Sequence, residues 1–236
     1  MLLAAGRGER MRPLTDTVPK PLLEVHGKPL MQWPMEALAR EGYGRIAINT
    51  AWQGDAISAR FGANPDFGGG AALAIDYSHE GRDFGGALET AGGILRALPL
   101  LADVFWVLAG DVFMPGFRFN RAAYDKFSAS GLLAHIWLVP NPEHNPEGDF
   151  GLSPEGLALN RAGEQFTYST VGLYRHEFFS GPGCAIAPGN PGGARAALAP
   201  LLRAAMDRRQ VGASLYTGQW ADIGTPERLL QINAKR

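Results

Sequence analysis

A glycine-rich turn with clustered arginines lies near the start of the chain. Residues 3–13 read Leu-Ala-Ala-Gly-Arg-Gly-Glu-Arg-Met-Arg-Pro. Backbone N–H groups in such a turn bind phosphate oxygens well, and nearby arginines add positive charge. The turn lacks the Gly-Lys-Ser/Thr of a Walker A loop, and Met11 stands where a dinucleotide fingerprint has its third glycine. It predicts a triphosphate site, with a solvated basic loop as the alternative.

A lysine between two prolines follows the turn, in the run Pro19-Lys20-Pro21. The two prolines restrict the backbone on both sides of Lys20. A restricted backbone suits an ammonium group that is aimed at a ligand better than a mobile surface cation. We therefore expect Lys20 to act together with the arginines of the turn.

Two aspartates that are far apart in the sequence are candidate metal ligands. Asp111 ends the apolar run Val-Leu-Ala-Gly-Asp, and ligands of an open parallel sheet bind beyond the carboxyl ends of its strands. Asp222 lies in Trp-Ala-Asp-Ile-Gly-Thr-Pro, just before a helix start. Mg²⁺ prefers one or two carboxylates together with water and substrate phosphates. Asp111 and Asp222 would supply that pair if the fold brings them together; otherwise each is a turn or capping carboxylate.

The elements that must position these residues alternate between short apolar runs and amphipathic segments. Such alternation predicts an α/β fold: a Rossmann-like three-layer sandwich with a mostly parallel, mixed sheet. Pro34 should kink or shorten the first helix. The predicted strands are 2–5, 45–49, 72–77, 104–109 and 132–139, and the predicted helices are 29–41, 54–61, 89–98 and 120–128.

The organisation changes after about residue 140. We predict a hairpin over 149–159, an irregular loop rich in glycine and proline over 181–193, and a last helix with Thr225 as N-cap and Pro226 at its first position. Further elements are a strand over 166–174, a helix over 198–206 and a strand over 213–216. We interpret residues 1–236 as one domain, whose second half adds an antiparallel portion and a lid over a shared cleft.

Composition excludes several classes of protein. The 236 residues carry a formal net charge of -1, whereas a general nucleic-acid binder is normally basic over a whole face. Cys184 is the one cysteine, so no internal disulfide can form. The longest apolar runs are too short to span a bilayer, and no basic segment precedes the first of them. We therefore expect a cytoplasmic enzyme with no nucleic-acid or membrane partner.

The segment 3–29 closely resembles the sugar-1-phosphate nucleotidyltransferases, whose architecture is also that of GT-A glycosyltransferases. The elements that carry the resemblance are Ala-Ala-Gly-x-Gly-x-Arg, Pro-Lys-Pro-Leu and Gly-Lys-Pro, followed far downstream by Gly-Asp at Asp111 and Trp-x-Asp-x-Gly-Thr at Asp222. The resemblance implies a nucleoside triphosphate and a sugar 1-phosphate as substrates and Mg²⁺ as cofactor. It also implies that residues 1–140 bind the nucleotide and 141–236 bind the sugar.

The resemblance assigns roles to individual residues. It implies that Arg10 contacts the phosphates, that Lys20 sits beside the reacting phosphates, and that Asp111 and Asp222 hold the metal. The turn would bind the nucleoside triphosphate through Leu3, Ala4, Ala5, Gly6 and Gly8.

The choice of base and sugar depends on weaker signals. The resemblance places the segment 88–93 against the base and the sugar, with Gly92 among the nucleotide contacts and Glu89 and Thr90 among the sugar contacts. Glu80 is predicted to face the base edge, where a carboxylate accepts equally well from uracil or guanine. The remaining substrate-binding candidates are Asn49 and Asp149. The alternative for Asp149 is that it is only a turn residue after Gly148. His144 is predicted to organise its loop.

Within the family, segments 48–52, 88–94, 141–150 and 198–202 are similar to the members that transfer a uridylyl group from UTP to N-acetylmuramate 1-phosphate in cell-wall sugar salvage. Two departures, an apparent insertion at 82–87 and the long 181–193 loop, are predicted to be mobile lid elements. One alternative is a hexose 1-phosphate nucleotidyltransferase that uses GTP or dTTP, and another is a non-catalytic module that binds nucleotide sugars. A third, a GT-A glycosyltransferase, usually carries Asp-x-Asp, where this chain has Asp-Val-Phe.

Overall fold

Strands from both halves of the chain form a single seven-stranded sheet. The structure is a computed structural model, and it describes residues 1–68, 72–181 and 183–234. Its strands are β1 (Leu2–Ala4), β2 (Glu24–Val25), β3 (Lys28–Pro29), β4 (Arg45–Thr50), β5 (Ala74–His79), β6 (Val104–Ala109), β7 (Val112–Phe113), β8 (Ala134–Val139), β9 (Gly151–Leu152), β10 (Ala158–Leu159), β11 (Thr167–Arg175), β12 (Val211–Leu215) and β13 (Ala221–Asp222).

The order of strands in the sheet is β12-β8-β11-β6-β1-β4-β5. Neighbours pair in parallel throughout, except that β11 runs antiparallel to both β6 and β8. The mostly parallel, mixed sheet is therefore confirmed. Because β1 lies between β4 and β6, the chain leaves the sheet near its middle when it enters the glycine-rich turn.

Helices cover both faces of the sheet. They are α1 (Gln32–Arg40), α2 (Gly54–Phe61), α3 (Glu80–Phe84), α4 (Glu89–Ala97), α5 (Arg121–Ser128), α6 (Leu198–Asp207) and α7 (Pro226–Ala234). The alternation of β6 shows how the layers form: Phe105 and Val107 pack with α4 and α6 in one cluster, whereas Trp106 and Leu108 pack with α1, α2 and α5 in the other. The three-layer sandwich is confirmed.

Local signals fixed several element boundaries. Asn120 caps α5, because its Oδ1 accepts from the Ala123 N–H at 2.8 Å. Thr225 lies before α7 and accepts from the Arg228 N–H at 3.4 Å, as an N-cap does. Helix α1 starts at Gln32, later than predicted, so Pro34 lies in its first turn, where a missing N–H costs nothing.

Three short antiparallel ladders lie outside the main sheet: β9 with β10, β7 with β13, and β2 with β3. The first confirms the predicted hairpin. The second joins the chain near Asp111 to the chain near Asp222, and a small apolar cluster that includes Phe113 and Ile223 packs beneath it. Among the described residues, no helix is both long enough and apolar enough to cross a bilayer.

Candidate active site

The parallel strands β1, β4 and β6 are neighbours, and their carboxyl ends lie side by side. A cavity of about 250 Å³ opens there. We call this cavity the first lobe. The fold thus brings together most of the site residues that the sequence predicted. The lobe is lined by Leu3, Ala4, Ala5, Gly6, Lys20, Pro21, Asn49, Ala87, Glu89, Thr90, Ala109 and Asp111.

Two glycines of the turn have different surroundings. Gly6 has no atom within 4 Å of the position that a Cβ would take, so its backbone faces open space. Gly8 has a φ of 67°, and a Cβ there would lie 3.2 Å from the Cβ of Lys20. Gly6 can therefore approach a ligand with bare backbone. Gly8 is predicted to contact the nucleotide. In the structure it is not among the described residues that line the first lobe, and its missing side chain lets the turn pack against Lys20.

The three arginines of the turn differ in their partners. Arg7 lies with its guanidinium carbon 3.6 Å from the ring centroid of Trp52. Arg12 pairs with Asp16 at 2.7 Å. Arg10 lies in an exposed 3₁₀ turn and forms no ion pair with any described residue. Arg10 is thus the arginine of the turn whose charge is available to a ligand, although it does not line the lobe itself.

Lys20 and Asp111 form an ion pair on the wall of the first lobe. The Lys20 Nζ lies 2.5 Å from the Asp111 Oδ2. The side chain of Lys20 is 11% exposed and that of Asp111 is 37% exposed. Lys20 opens a 3₁₀ turn directly after Pro19, which holds the backbone as the sequence suggested. The ammonium is therefore held in one place, and the carboxylate next to it remains open to the cavity.

Asp222 lies beside Asp111 in space, although 110 residues separate them. In the ladder of β13 with β7, Asp222 pairs with Val112, and the Ile223 N–H donates to the Asp111 carbonyl at 3.0 Å. The fold therefore brings the backbones of Asp111 and Asp222 together, while the Asp222 side chain lines a neighbouring hollow with His144 and Arg228.

The Asp222 carboxylate has protein partners of its own. The Arg228 Nη1 lies 2.6 Å from both carboxylate oxygens, and the His144 Nε2 lies 2.9 Å from Oδ1. His144 thus contacts the predicted metal ligand, in addition to holding its loop against the start of α7. The sequence did not predict the contact with Arg228.

A second cavity of about 400 Å³ adjoins the first, and we call it the second lobe. The two lobes share Leu3, Thr90 and Ala109, so they form one two-lobed cleft. Asp149 is on the wall, and its Oδ2 accepts from the Tyr168 N–H at 2.8 Å, which leaves the other oxygen for a ligand. The remaining lining residues are Val107, Phe150, Tyr168, Thr170, Ala197, Leu198, Ala199, Leu202 and Arg203.

The family model described as "Nucleotidyl transferase" matches residues 1–153, which include the turn, Lys20 and Asp111. This chain belongs to the nucleotidyl transferase family. It is an enzyme of the nucleotidyltransferase type.

Relatives of this nucleotidyltransferase match it over almost its whole length. It is 45% identical to an N-acetylmuramate alpha-1-phosphate uridylyltransferase of Neisseria meningitidis serogroup B, over 99% of this chain and 96% of the relative. It is 30% identical to a protein of the same name from Caulobacter vibrioides, over 100% of this chain and 95% of the relative. The solved inositol-1-phosphate CTP transferase from T. maritima shares the fold, with a TM-score of 0.70 at 18% identity over 99% of this chain and 94% of that chain.

Glu80 supports the wall of the first lobe from behind. It is fully buried, and it accepts from the Asn49 Nδ2 at 2.6 Å and from the Leu88 N–H at 2.7 Å. Asn49 in turn accepts from the Ala4 N–H at 2.9 Å. Burial raises the pKa of the Glu80 carboxyl, and the two hydrogen bonds oppose that shift. The prediction that Glu80 faces the base edge was therefore wrong, because its oxygens hold the wall instead.

We expect Glu80→Ala to lower the free energy of unfolding by about 2–4 kcal/mol, because it leaves two buried N–H donors unpaired and opens a cavity. Urea unfolding followed by circular dichroism measures this loss. Glu164→Ala, at an exposed position, serves as the control and should change little. Equal stabilities of the two variants would contradict the supporting role of Glu80.

Gly92 is predicted to contact the nucleotide, but in the structure other parts of the chain cover both Gly92 and the next residue, Gly93. A Cβ at Gly92 would lie 2.6 Å from the Ala194 carbonyl oxygen, and one at Gly93 would lie 2.8 Å from the Asn49 Nδ2. Both glycines therefore pack against other parts of the protein and do not face the cleft. Beside them, Glu89 takes a left-handed φ of 61° at the start of α4, which puts Glu89 and Thr90 on the wall of the first lobe.

The two segments predicted as mobile lids, 82–87 and 181–193, both contact α4. Arg96 of α4 lies 2.8 Å from Asp83 in the first segment and donates to a backbone carbonyl of the second at 3.2 Å. The second segment is irregular, as predicted, and its residue 182 lies outside the described part of the chain. In this structure both segments are anchored to α4, and their movement stays a prediction.

Sequence reasoning missed two polar residues of the second lobe, Thr170 and Arg203. Thr170 sits where the pairing of β11 with β8 shifts register, with a φ of 66° and a buried hydroxyl oxygen that has no partner among the described residues. A β-branched residue in this conformation is strained, and such bulges occur often beside active sites. Nothing in the sequence of β11 marks the bulge. Arg203 directly follows the segment 198–202, so an inspection of the next helical position could have found it.

Proposed function

We propose that this nucleotidyltransferase transfers a uridylyl group from UTP to N-acetylmuramate 1-phosphate, giving the UDP-sugar and pyrophosphate in cell-wall sugar salvage. The observation that carries the proposal is the two-lobed cleft, with the Lys20–Asp111 pair on the wall of its first lobe. The names of the Neisseria and Caulobacter relatives support the choice of sugar and base, since the likeness to both extends over nearly the full chain.

The attacking group requires no general base. A sugar 1-phosphate is a phosphate monoester with a second pKa near ~6, so it carries a charged oxygen at neutral pH. The obstacle is repulsion between this oxygen and the charged α-phosphate of the nucleotide. Catalysis then consists of alignment for in-line attack and of neutralising charge, with pyrophosphate as the leaving group.

Positively charged side chains on the wall of the first lobe and on the glycine-rich turn meet this need. Lys20 presents an ammonium whose position is fixed by the flanking prolines and by Asp111. Arg10 has no carboxylate partner among the described residues and stands on the turn that leads from β1. We assign Lys20 to the reacting phosphates and Arg10 to the distal phosphates, with the open backbone at Gly6 as a further contact.

Asp111 and Asp222 fit a site for Mg²⁺. They are hard oxygen donors on adjoining segments, since Asp111 directly precedes β7 and Asp222 lies in β13. A carboxylate has about four lone-pair positions, so Asp222 can be shared between Arg228 and an ion. Within the described residues, no group of three or more histidine, cysteine, aspartate or glutamate side chains could hold a metal. Phosphate oxygens and water would therefore complete the coordination. When bound, Mg²⁺ supplies neutralisation of the phosphate charge.

We expect pyrophosphate release to be fastest with UTP and N-acetylmuramate 1-phosphate and to require Mg²⁺. The assay pairs UTP, GTP, dTTP and CTP with the 1-phosphates of N-acetylmuramate, N-acetylglucosamine, glucose and mannose, with Mg²⁺ or with EDTA. Preference for GTP with mannose 1-phosphate, or for dTTP with glucose 1-phosphate, would contradict the substrates but keep the reaction. Absence of pyrophosphate from every pair would instead favour a non-catalytic binding module.

A further inference from the structure

The charged residues on the wall of the second lobe are few. Among the described residues that line it, Arg203 is the one cation and Asp149 is the one anion. The rest of the wall is apolar, apart from two threonines and a tyrosine. A neutral sugar needs hydroxyl and amide partners but no full positive charge, so an arginine here calls for a ligand with a negative charge.

The guanidinium group of Arg203 is held in one position at the edge of this lobe. Its central carbon lies 4.9 Å from the ring centroid of Phe150, a buried residue of the wall. Its Nη1 donates to the Asn160 Oδ1 at 2.6 Å. Asn160 in turn donates from Nδ2 to Asp207 at 3.1 Å, which orients the amide oxygen toward Arg203. The group therefore has less freedom to lose when it binds a ligand than a surface arginine has.

One edge of this guanidinium is left for a ligand. All the hydrogen bonds that Arg203 makes to described residues start from Nη1. Nε and Nη2 form the edge on which arginine binds a carboxylate through two parallel hydrogen bonds. Arg203 is exposed and lines the second lobe, so these donors belong to a side chain that borders the cleft.

N-acetylmuramate differs from N-acetylglucosamine by a lactyl ether on O3, which ends in a carboxylate. We propose that Arg203 binds this lactyl carboxylate and is the residue that makes the enzyme select the acidic sugar. The inference rests on the proposed function. Asp149 favours the same orientation, because its negative charge repels a carboxylate while its unoccupied oxygen can accept from a sugar hydroxyl.

The test compares two sugar 1-phosphates that differ only in the lactyl group. We expect Arg203→Gln to lower kcat/KM for N-acetylmuramate 1-phosphate on the order of 10- to 100-fold, the range for a lost charged hydrogen bond. The kcat/KM for N-acetylglucosamine 1-phosphate and the KM for UTP should change by less than about twofold. Arg208→Gln, the same charge change in the same helical region, is the matched control because Arg208 bonds Gln210 and lies off the cleft wall. It should behave as wild type.

The possible outcomes distinguish a failure of the Arg203 assignment from a failure of the proposed function. A wild-type enzyme that prefers N-acetylglucosamine 1-phosphate overturns both. A wild-type preference for the acidic sugar that survives in Arg203→Gln overturns only the role of Arg203, and so does an equal loss on both sugars. A melting curve shows whether Arg203→Gln folds. If it does not, Arg203→Lys is the second variant, because it keeps the charge but loses the paired N–H groups. An intermediate loss of kcat/KM confined to the acidic sugar then supports the assignment.

Discussion

Replacement of Asp111 by asparagine is expected to lower kcat on the order of 10²- to 10³-fold while the fold is retained. Asparagine has almost the same shape and can still accept from Lys20, but it has no charge with which to attract a divalent cation. In a site where catalysis consists largely of charge neutralisation, loss of one such group has an effect of this size. Steady-state pyrophosphate release at saturating substrate measures the change.

A surface substitution of the same kind shows whether the effect is local. Asp125→Asn removes a carboxylate from an exposed helical pair with Arg121, and it should leave kcat unchanged. The Asp111 variant should also need more Mg²⁺ for half-maximal rate than the wild type does. Near-normal kcat with an unaltered Mg²⁺ requirement would remove Asp111 from the proposed mechanism.

Lys20→Ala is expected to reduce kcat on the order of 10²- to 10³-fold, with a smaller effect on the KM for UTP. The ammonium of Lys20 would act mainly on charge that develops during transfer, so its loss should affect turnover more than ground-state binding. Steady-state kinetics with each substrate varied in turn separates the two parameters. Lys28→Ala is the control, since Lys28 pairs with Glu36 and is absent from the described wall of the cleft.

The double variant of Lys20 and Asp111 makes the test sharper. Because the two side chains lie 2.5 Å apart, their effects on kcat should not be additive, and the double variant should lose less than the product of the single losses. A Lys20→Ala enzyme with wild-type kcat would show that the ion pair is structural only.

Much of the fold could be predicted because local patterns and tertiary packing agree. The run 104–109 is apolar on both faces, and it forms β6, a buried strand of the sheet. Asn120 and Thr225 cap their helices through contacts within a few residues. The turn Ser153–Gly156 closes the predicted hairpin, where the Gly156 N–H donates to the Ser153 carbonyl at 3.0 Å.

The errors concern residues whose partners are distant in sequence. Glu80 is a carboxylate near a candidate site, and only the fold shows that Asn49, 31 residues away, and the Leu88 N–H use both its oxygens. Gly92 resembles a ligand-binding glycine until the chain at Ala194 is seen to cover it. The strained Thr170 depends on the register of β11 with β8, which no local pattern encodes.

The sequence alone identified the groups on which the proposed chemistry depends: a glycine turn with arginines, a lysine between prolines, an aspartate that ends an apolar run and another just before a helix. These signals are readable because backbone restriction and charge are local properties of neighbouring residues. Tertiary structure decided which of those groups share a cleft, and it placed Arg203 and Asp149 on the wall of its second lobe. Contacts such as these depend on strand order and helix packing, which join residues far apart in the chain and so lie beyond any local pattern.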